Sequence, residues 1–166
     1  MANSANPLVR TVGIVLMVFG IIFVAAGATT WGMVTSQLSD ENITVPDDAS
    51  MMAGKKVSGP LTAYAQADII NQHALKASDG LTYAELGVKA TEAKEAGDEA
   101  LAEEYTQQRV TAMNGSFLRA SLFTSVLAYG VSALVIGLGI LQFLAGLAFN
   151  KLASRPAAPY AQGYQQ

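Results

Sequence analysis

The sequence predicts an all-α membrane protein, in which an antiparallel two-helix transmembrane hairpin carries a mostly helical extracytoplasmic loop domain. Two apolar runs, Val12–Trp31 and Leu122–Phe149, stand near the two ends of the chain. All 13 Asp and Glu residues lie between them, from Asp40 to Glu104. With 166 residues, of which 51% are hydrophobic, the chain is too short for several domains and too apolar for an ordinary soluble one.

These features divide the chain into five predicted parts. They are a cytoplasmic N-terminus (1–10), a first transmembrane helix (11–33), an extracytoplasmic helical domain (34–118), a second transmembrane helix (119–149) and a disordered cytoplasmic tail (150–166).

The first run has the length of a membrane span. No charged residue occurs from Thr11 through Ser39, and a helix over Val12–Trp31 would be about 30 Å long, the thickness of a bilayer's hydrocarbon core. We expect a helix because lipid offers the backbone no hydrogen-bond partner. Basic and indole side chains at the ends of a span prefer the membrane interface. We predict four such interface residues, namely Arg10, Trp31, Arg119 and Lys151.

A secretory signal peptide is the competing interpretation of the first run, because Ala26-Gly27-Ala28 matches a cleavage site. The run is longer than the apolar core of such a leader. Cleavage would also discard the regularly spaced glycines of this run. We therefore expect a retained anchor.

Small residues recur every seven positions in both runs, which places them on one stripe of a slightly supercoiled helix. Such a stripe allows a second helix backbone to come close. The predicted packing positions are Gly13, Gly20 and Gly27 in the first run and Ser125, Ser132, Gly139 and Gly146 in the second. Gly130 and Gly137 form a further pair with the same spacing, for which self-association is an alternative use.

Gln142 is the strongly polar side chain well inside the second run. A polar group in lipid seeks a partner on a neighbouring helix, and such a hydrogen bond is worth about 0.6–2 kcal/mol. We therefore predict that Gln142 stabilises helix packing.

The distribution of basic residues predicts the orientation in the membrane. Arg10, Lys151 and Arg155 flank the ends of the runs that face away from the acidic segment. Basic residues are enriched on the cytoplasmic side of a membrane. We therefore expect a multi-pass protein of the cell membrane with both termini in the cytoplasm and the loop outside it.

The segment between the runs carries helix start and stop signals. Gly59-Pro60 predicts a helix start, and Ser78-Asp79-Gly80 predicts its end. Thr82 and Glu85 fit a capping box at the start of a second helix. Gly97-Asp98 would break or bend that helix.

Two further expectations concern polar positions of the loop domain. Gln66, Asn71 and Gln72 of the first loop helix can face water. Asn114-Gly115-Ser116 predicts a hinge before the second span.

The residue types leave few catalytic chemistries open. The chain has no cysteine and one histidine, which excludes a disulfide framework, a thiol nucleophile and a thiolate metal site. The acids from Asp40 to Asp48 lack the spacing of a calcium loop. The acidic balance argues against nucleic-acid binding. We therefore predict no catalytic residue, no cofactor and no bound metal.

Three segments resemble a known family. They are Thr30-Trp31-Gly32-Met33-Val34, Gly59-Pro60-Leu61-Thr62-Ala63-Tyr64-Ala65-Gln66-Ala67 and Ser116-Phe117-Leu118-Arg119-Ala120-Ser121-Leu122-Phe123-Thr124-Ser125. On these segments the chain resembles small actinobacterial membrane proteins commonly labelled "aromatic ring-opening dioxygenase LigA". The resemblance covers nearly the whole chain apart from the termini and Lys89–Gln107, and it implies an actinobacterial cell envelope.

The family label also implies ring-opening chemistry. Non-haem iron oxygenases hold Fe(II) with two histidines and a carboxylate, whereas this chain offers His73 alone. A dioxygenase-related subunit would therefore need a partner to supply metal ligands, and it is the alternative hypothesis.

Our first hypothesis is a non-enzymatic accessory or structural membrane protein. It would sit in the lipid bilayer and bind a membrane protein complex, or a second copy of itself, through its small-residue helix faces and its extracytoplasmic domain. A transport or sensor component is a third possibility, but the charged residue inside a span that would indicate it is missing.

Overall fold

The computed structural model describes residues 6–154 and is helical over most of that range. It contains four helices, α1 (Pro7–Asp40), α2 (Pro60–Ala77), α3 (Tyr83–Glu95) and α4 (Glu99–Ala153). No strand occurs among residues 6–154, where Thr44 and Lys56 form an isolated antiparallel β-bridge. The predicted all-α class is therefore confirmed. Of the predicted disordered tail (150–166), residues 150–153 are instead the last residues of helix α4, and residues 155–166, including Arg155, lie outside the described residues. The first five residues of the predicted N-terminus also lie outside them.

Helices α1 and α4 contain the two apolar runs. By length and composition, both are long and apolar enough to cross a membrane. Helix α1 begins at Pro7, where a residue without a backbone N–H costs no helical hydrogen bond. The side-chain Oδ1 of Asn6 accepts a hydrogen bond from the backbone N–H of Leu8 at 3.2 Å and so satisfies one free donor of the first turn.

Helix α4 runs without a break through Asn114–Ser116, so the predicted hinge is wrong. Gly115 serves packing instead, because a Cβ atom built on it would lie 3.3 Å from the Cβ of Ala74 on α2. The hydroxyl of Ser116 donates to the carbonyl of Ala112 within the helix. Turn-forming residue types are tolerated here because tertiary packing outweighs local propensity.

The other helix boundaries follow the predicted signals. Helix α2 starts at Pro60 and ends at Ala77, before Asp79 and Gly80, whose φ angles are positive. At the start of α3, the Thr82 N–H donates to Glu85 Oε2 at 2.8 Å, and the Glu85 N–H donates to Thr82 Oγ1 at 3.4 Å. This is the predicted capping box.

The predicted break at Gly97-Asp98 is also confirmed. Gly97 has a φ of +79°, a conformation that glycine adopts without strain. The Asp98 carboxylate then accepts a hydrogen bond from the backbone N–H of Leu101 in the first turn of α4.

The chain forms two compact units. Within the described residues, the first contains 6–29 and 131–154, and the second is Thr30–Gly130. Each unit is described separately below.

The second unit has its own hydrophobic core. The loop after α1 is held by backbone hydrogen bonds from Val45 N to Lys55 O and from Val57 N to Ile43 O, both 2.9 Å. These bonds place two fully buried valines against α2 and α4. The buried core residues are Leu38, Val45, Val57, Ala63, Ala65, Ala67, Leu122 and Tyr129.

Of the three residues of α2 that were predicted to face water, Gln72 is exposed and Asn71 is half-buried, and Gln66 is half-buried as well. Its side-chain Oε1 is buried and has no hydrogen-bond partner in the part of the chain that the structure describes. The cause is that α2 is covered on more than one side, since Ala63, Ala65, Ala67 and Ile69 are all buried.

Candidate functional site

In the first unit, α1 and α4 contact each other along a line of small residues that we call the glycine seam. Its members are Gly13, Gly20, Gly27, Ser132, Gly139 and Gly146, and all six are buried. Gly13 meets Gly146, Gly20 meets Gly139, and Gly27 meets the backbone of Ser132. The contacts run in opposite order along the two helices.

The glycine seam brings backbone against backbone. A Cβ atom built on Gly20 would lie 2.7 Å from the carbonyl oxygen of Gly139 and 2.8 Å from the backbone nitrogen of Phe143. One built on Gly146 would lie 2.5 Å from the carbonyl oxygen of Gly13. Since real Cβ atoms essentially never approach closer than 3.0 Å, these positions have no room for a side chain.

Asn150 closes the glycine seam next to Gly13 and was not predicted. Its side-chain amide donates to the carbonyl of Gly146 at 3.1 Å and lies 3.9 Å from the sulfur of Met17. The amide is only 2.9 Å from where a Cβ of Gly13 would be. In the sequence, the signal that could have indicated this role is the position of Asn150 as the last residue of the uncharged run, directly before Lys151.

The remaining predicted packing residues lie elsewhere. Ser125 belongs to the second unit, where its hydroxyl donates to the carbonyl of Ser121 at 3.4 Å. Gln142 is half-buried, and its Oε1 is buried without a partner within residues 6–154, so the predicted hydrogen bond to another helix does not form there. Gly130 and Gly137 have no atom within 4 Å of a Cβ position.

Around the glycine seam, the first unit exposes large apolar side chains. Ile21 of α1 is 58% exposed, and Leu134 and Leu141 of α4 are 62% and 64% exposed. Further exposed side chains are Ile14, Val15, Val18, Phe19, Ile22, Leu138, Ile140, Leu144 and Phe149. The exposed apolar surface therefore extends over both helices of this unit.

Of the predicted interface residues, Trp31 has a contact that the sequence did not indicate. Its ring meets the ring of Tyr129 edge-on, with centroids 4.7 Å apart. The Tyr129 hydroxyl lies 2.9 Å from Thr35 Oγ1 and donates to the carbonyl of Ser58 at 3.3 Å. Trp31 and Tyr129 thus join α1, α4 and the start of α2 in the core of the second unit.

The other three predicted interface residues are basic, and their exposure differs. Arg10 and Lys151 are exposed. Arg119 is half-buried, with its guanidinium carbon 5.9 Å from the centroid of the Phe123 ring. Its Nε is buried without a partner in the described chain.

His73 pairs with a loop carboxylate. Its Nε2 lies 2.8 Å from Asp48 Oδ2, and this hydrogen bond lowers the pKa of the Asp48 carboxyl. The sequence did not indicate this contact, because it depends on how the loop folds back onto α2. No cluster of three or more His, Cys, Asp or Glu side chains suited to a metal ion occurs within residues 6–154.

Comparison with protein-family models, with curated proteins and with solved structures finds no match to this chain.

Proposed function

We propose that the protein is a non-enzymatic accessory or structural protein of the cell membrane. Helices α1 and α4 would cross the bilayer as an antiparallel hairpin, with both termini in the cytoplasm. The acidic helical unit, Thr30–Gly130, would lie on the extracytoplasmic side and bind a membrane protein partner. The resemblance to an actinobacterial family suggests an actinobacterial envelope.

The observation that carries the proposal is the exposed apolar surface around the glycine seam. Burying one Leu, Ile or Phe side chain away from water is worth about 1.5–3 kcal/mol, and a dozen or more such side chains are exposed in this unit. Contiguous apolar surfaces of that extent mark a membrane or a protein interface. Lipid covers both helices at once, whereas a protein partner of ordinary size covers one side.

The glycine seam supports the hairpin. Lipid is as apolar as leucine, so helices in a bilayer associate mainly through close packing of small residues. Backbone contacts at three levels, from Gly13 to Gly27, provide such packing. Because the backbone N–H and C=O groups of each helix are hydrogen-bonded within that helix, the pair needs no hydrogen-bond partner from the lipid.

Substituted-cysteine labelling tests the membrane topology, and the absence of native cysteine makes the background low. We would introduce Glu95→Cys in the second unit and Ser154→Cys after α4, each as a single variant, and treat intact cells with a membrane-impermeant maleimide. The proposal predicts labelling of the variant at position 95 in intact cells. The variant at position 154 should be labelled only after lysis, and the cysteine-free parent not at all.

Labelling at position 154 in intact cells, and at position 95 only after lysis, would show that the protein has the reverse orientation. Equal labelling of both positions only after lysis, with the chain in the soluble fraction, would refute the membrane proposal itself.

Partner binding is tested by purification in a mild neutral detergent through an affinity tag. A protein that co-purifies in fixed ratio with the parent, and is lost when the acidic unit is altered, would support the accessory role. Recovery as a monomer without other proteins would contradict it. Stoichiometric iron with catechol oxidation by the purified protein would favour the dioxygenase alternative.

A further inference from the structure

The second unit exposes four large apolar side chains on the first turns of α2 and on the part of α4 beside them. They are Leu61 (60% exposed), Tyr64 (47%), Phe123 (38%) and Leu127 (67%). The rings of Tyr64 and Phe123 meet edge-on, with centroids 6.0 Å apart. Leu61 lies one helical turn from Tyr64, and Leu127 lies one turn from Phe123, so each pair shares a helix face. We call these four residues the α2–α4 patch.

The start of α2 is fixed against α4 beside this patch. The buried Tyr129 donates from its hydroxyl to the carbonyl of Ser58, just before α2, at 3.3 Å. Ala63 and Ala67 of α2 are buried in the same core as Leu122 of α4. The α2–α4 patch is therefore the outer surface of a packed region.

The α2–α4 patch is uncharged and has a cation at its edge. No charged residue occurs in Val57–Ala67 or in Ala120–Asn150. The guanidinium carbon of Arg119 lies 5.9 Å from the centroid of the Phe123 ring. Arg119 forms no ion pair with another described residue. A guanidinium group is well suited to bind the oxygens of a phosphate.

The length of α4 relates the α2–α4 patch to a bilayer. Its uncharged stretch, Ala120–Asn150, is about 46 Å long as a helix. A hydrocarbon core is about 30 Å thick, and a bilayer with its headgroup layers is about 40–45 Å thick. In the proposed hairpin, Val131–Asn150 fills the core. Phe123 and Leu127 then lie in the headgroup layer of the extracytoplasmic leaflet, with Arg119 at its water side.

We propose that the first two turns of α2 lie in this headgroup layer and that a phospholipid of the same leaflet covers the α2–α4 patch. The acyl chain contacts Leu61 and Leu127, and the Arg119 guanidinium donates to the phosphate. The Tyr64 ring lies at the depth that amphipathic aromatic side chains prefer. This inference rests on the proposed function and deepens it, because it adds a lipid contact to the unit that binds a protein partner.

Quenching of a fluorescent dye by lipid nitroxides tests the proposal, and the chain has no native cysteine to interfere. Full-length Leu61→Cys and Val88→Cys are each labelled with a nitrobenzoxadiazole dye and reconstituted into phosphatidylcholine vesicles. Part of the lipid carries a nitroxide at carbon 5 of one acyl chain. That carbon lies near the boundary of headgroups and acyl chains, where interfacial apolar faces are buried about 5–10 Å deep.

Val88 is the matched control. It is 57% exposed, close to the 60% of Leu61, but belongs to α3. Its neighbour Gly87 lies against Arg109 of α4. Arg109 is about 15 Å further along α4 than Arg119, on the side away from the uncharged stretch.

The proposal predicts about a twofold or greater loss of emission for the dye at position 61 and unchanged emission at position 88. Equal quenching at both positions would overturn it, because the dye itself would then be the group that enters the lipid. Absence of quenching at position 61 would also overturn it, since water or a second copy of the chain would then cover the patch. Circular dichroism like that of the parent confirms that both variants are folded.

Two variants of the arginine test the phosphate contact, with the dye at position 61. Arg119→Gln should reduce the quenched fraction, and Arg119→Lys, which retains the charge, should preserve it. Equal quenched fractions in these two variants would refute the contact.

A third dye position separates this proposal from the hairpin. Leu141 is 64% exposed in the first unit and lies near the middle of Val131–Asn150. A dye on Leu141→Cys should be quenched by a nitroxide at carbon 12, deep in the acyl chains. Quenching at position 141 without quenching at position 61 would refute the lipid contact of α2 and leave the hairpin standing. Absence of quenching at position 141 would refute the hairpin itself.

Discussion

Replacing Gly20 by alanine is expected to force α1 and α4 apart at the glycine seam. The added Cβ would lie 2.7 Å from the Gly139 carbonyl oxygen, whereas ordinary van der Waals contact begins at 3.4 Å, so the helices must separate by about 0.7 Å. The atoms it meets belong to the backbone and cannot rotate away. A gap of that size forfeits about a quarter to a half of each dispersion contact along the seam.

The net effect is a balance of two terms. Overpacking of a well-packed contact costs about 1–3 kcal/mol, and alanine gains about 0.8–1.0 kcal/mol over glycine from helix propensity. Gly137 provides the matched control, because no atom lies within 4 Å of its Cβ position. Gly137→Ala should therefore be neutral or stabilising, and the two variants should differ by about 1–3 kcal/mol, which is the overpacking term alone.

Förster transfer between dyes on cysteines introduced at Asn6 and Ser154 would report seam closure within the first unit. The protein in neutral detergent is titrated with sodium dodecyl sulfate until transfer is lost. The midpoint should fall for Gly20→Ala and stay or rise for Gly137→Ala. Identical midpoints for the two variants would refute the reasoning, since only one of the positions faces another backbone.

Three further outcomes follow from the second unit. Tyr129→Phe should destabilise it by about 1–3 kcal/mol, because two polar partners of the hydroxyl are left unpaired while the ring remains; thermal unfolding checks this. Thr82→Ala should lower stability by about 1 kcal/mol and raise the pKa of Glu85, which the threonine hydrogen bonds hold down, as measured by carboxyl NMR titration. The hydrogen bond to His73 lowers the pKa of Asp48 below its ordinary value of 3.8. The ionised carboxylate therefore stabilises the fold at pH values above 3.8, and this stabilisation is lost as the pH falls through the lowered pKa. His73→Gln should raise the Asp48 pKa toward that value.

Two of these outcomes have a control variant, and the third has a refuting result. Tyr64→Phe removes an exposed hydroxyl and should leave thermal stability unchanged. Thr106→Ala removes a hydroxyl that bonds only within its own helix, to the carbonyl of Ala102, and should cost less than the loss of the cap. An Asp48 titration that is the same with and without the imidazole would show that the contact does not hold in solution.

Local signals predicted most of the helix boundaries. Three signals act through backbone geometry and hydrogen bonds within a few residues: the proline at the start of α2, the Thr82 and Glu85 pair, and the glycine between α3 and α4. Such effects can be read without knowing the rest of the fold. The prediction of a hinge at Asn114–Ser116 was wrong for the converse reason. Gly115 packs against Ala74, which is distant in the sequence.

The candidate site divides in the same way. The spacing by seven indicated which small residues share a stripe, but not that Ser125 belongs to the second unit or that Asn150 packs beside Gly13. From the sequence, Trp31 was expected at the membrane interface and Gln66 in water. In the structure, Trp31 packs on Tyr129 and the side-chain oxygen of Gln66 is buried. Side chains of this size take their surroundings from segments that only folding brings together.

What the sequence by itself determined is the class of the protein: helical, with two uncharged runs of membrane length and an acidic segment between them. Composition and periodicity suffice for this because hydrophobicity and helix geometry are properties of each segment alone. The tertiary structure decided which glycines meet a backbone and which buried polar atoms remain unpaired. These depend on distances between segments far apart in the chain, and no local pattern encodes such distances.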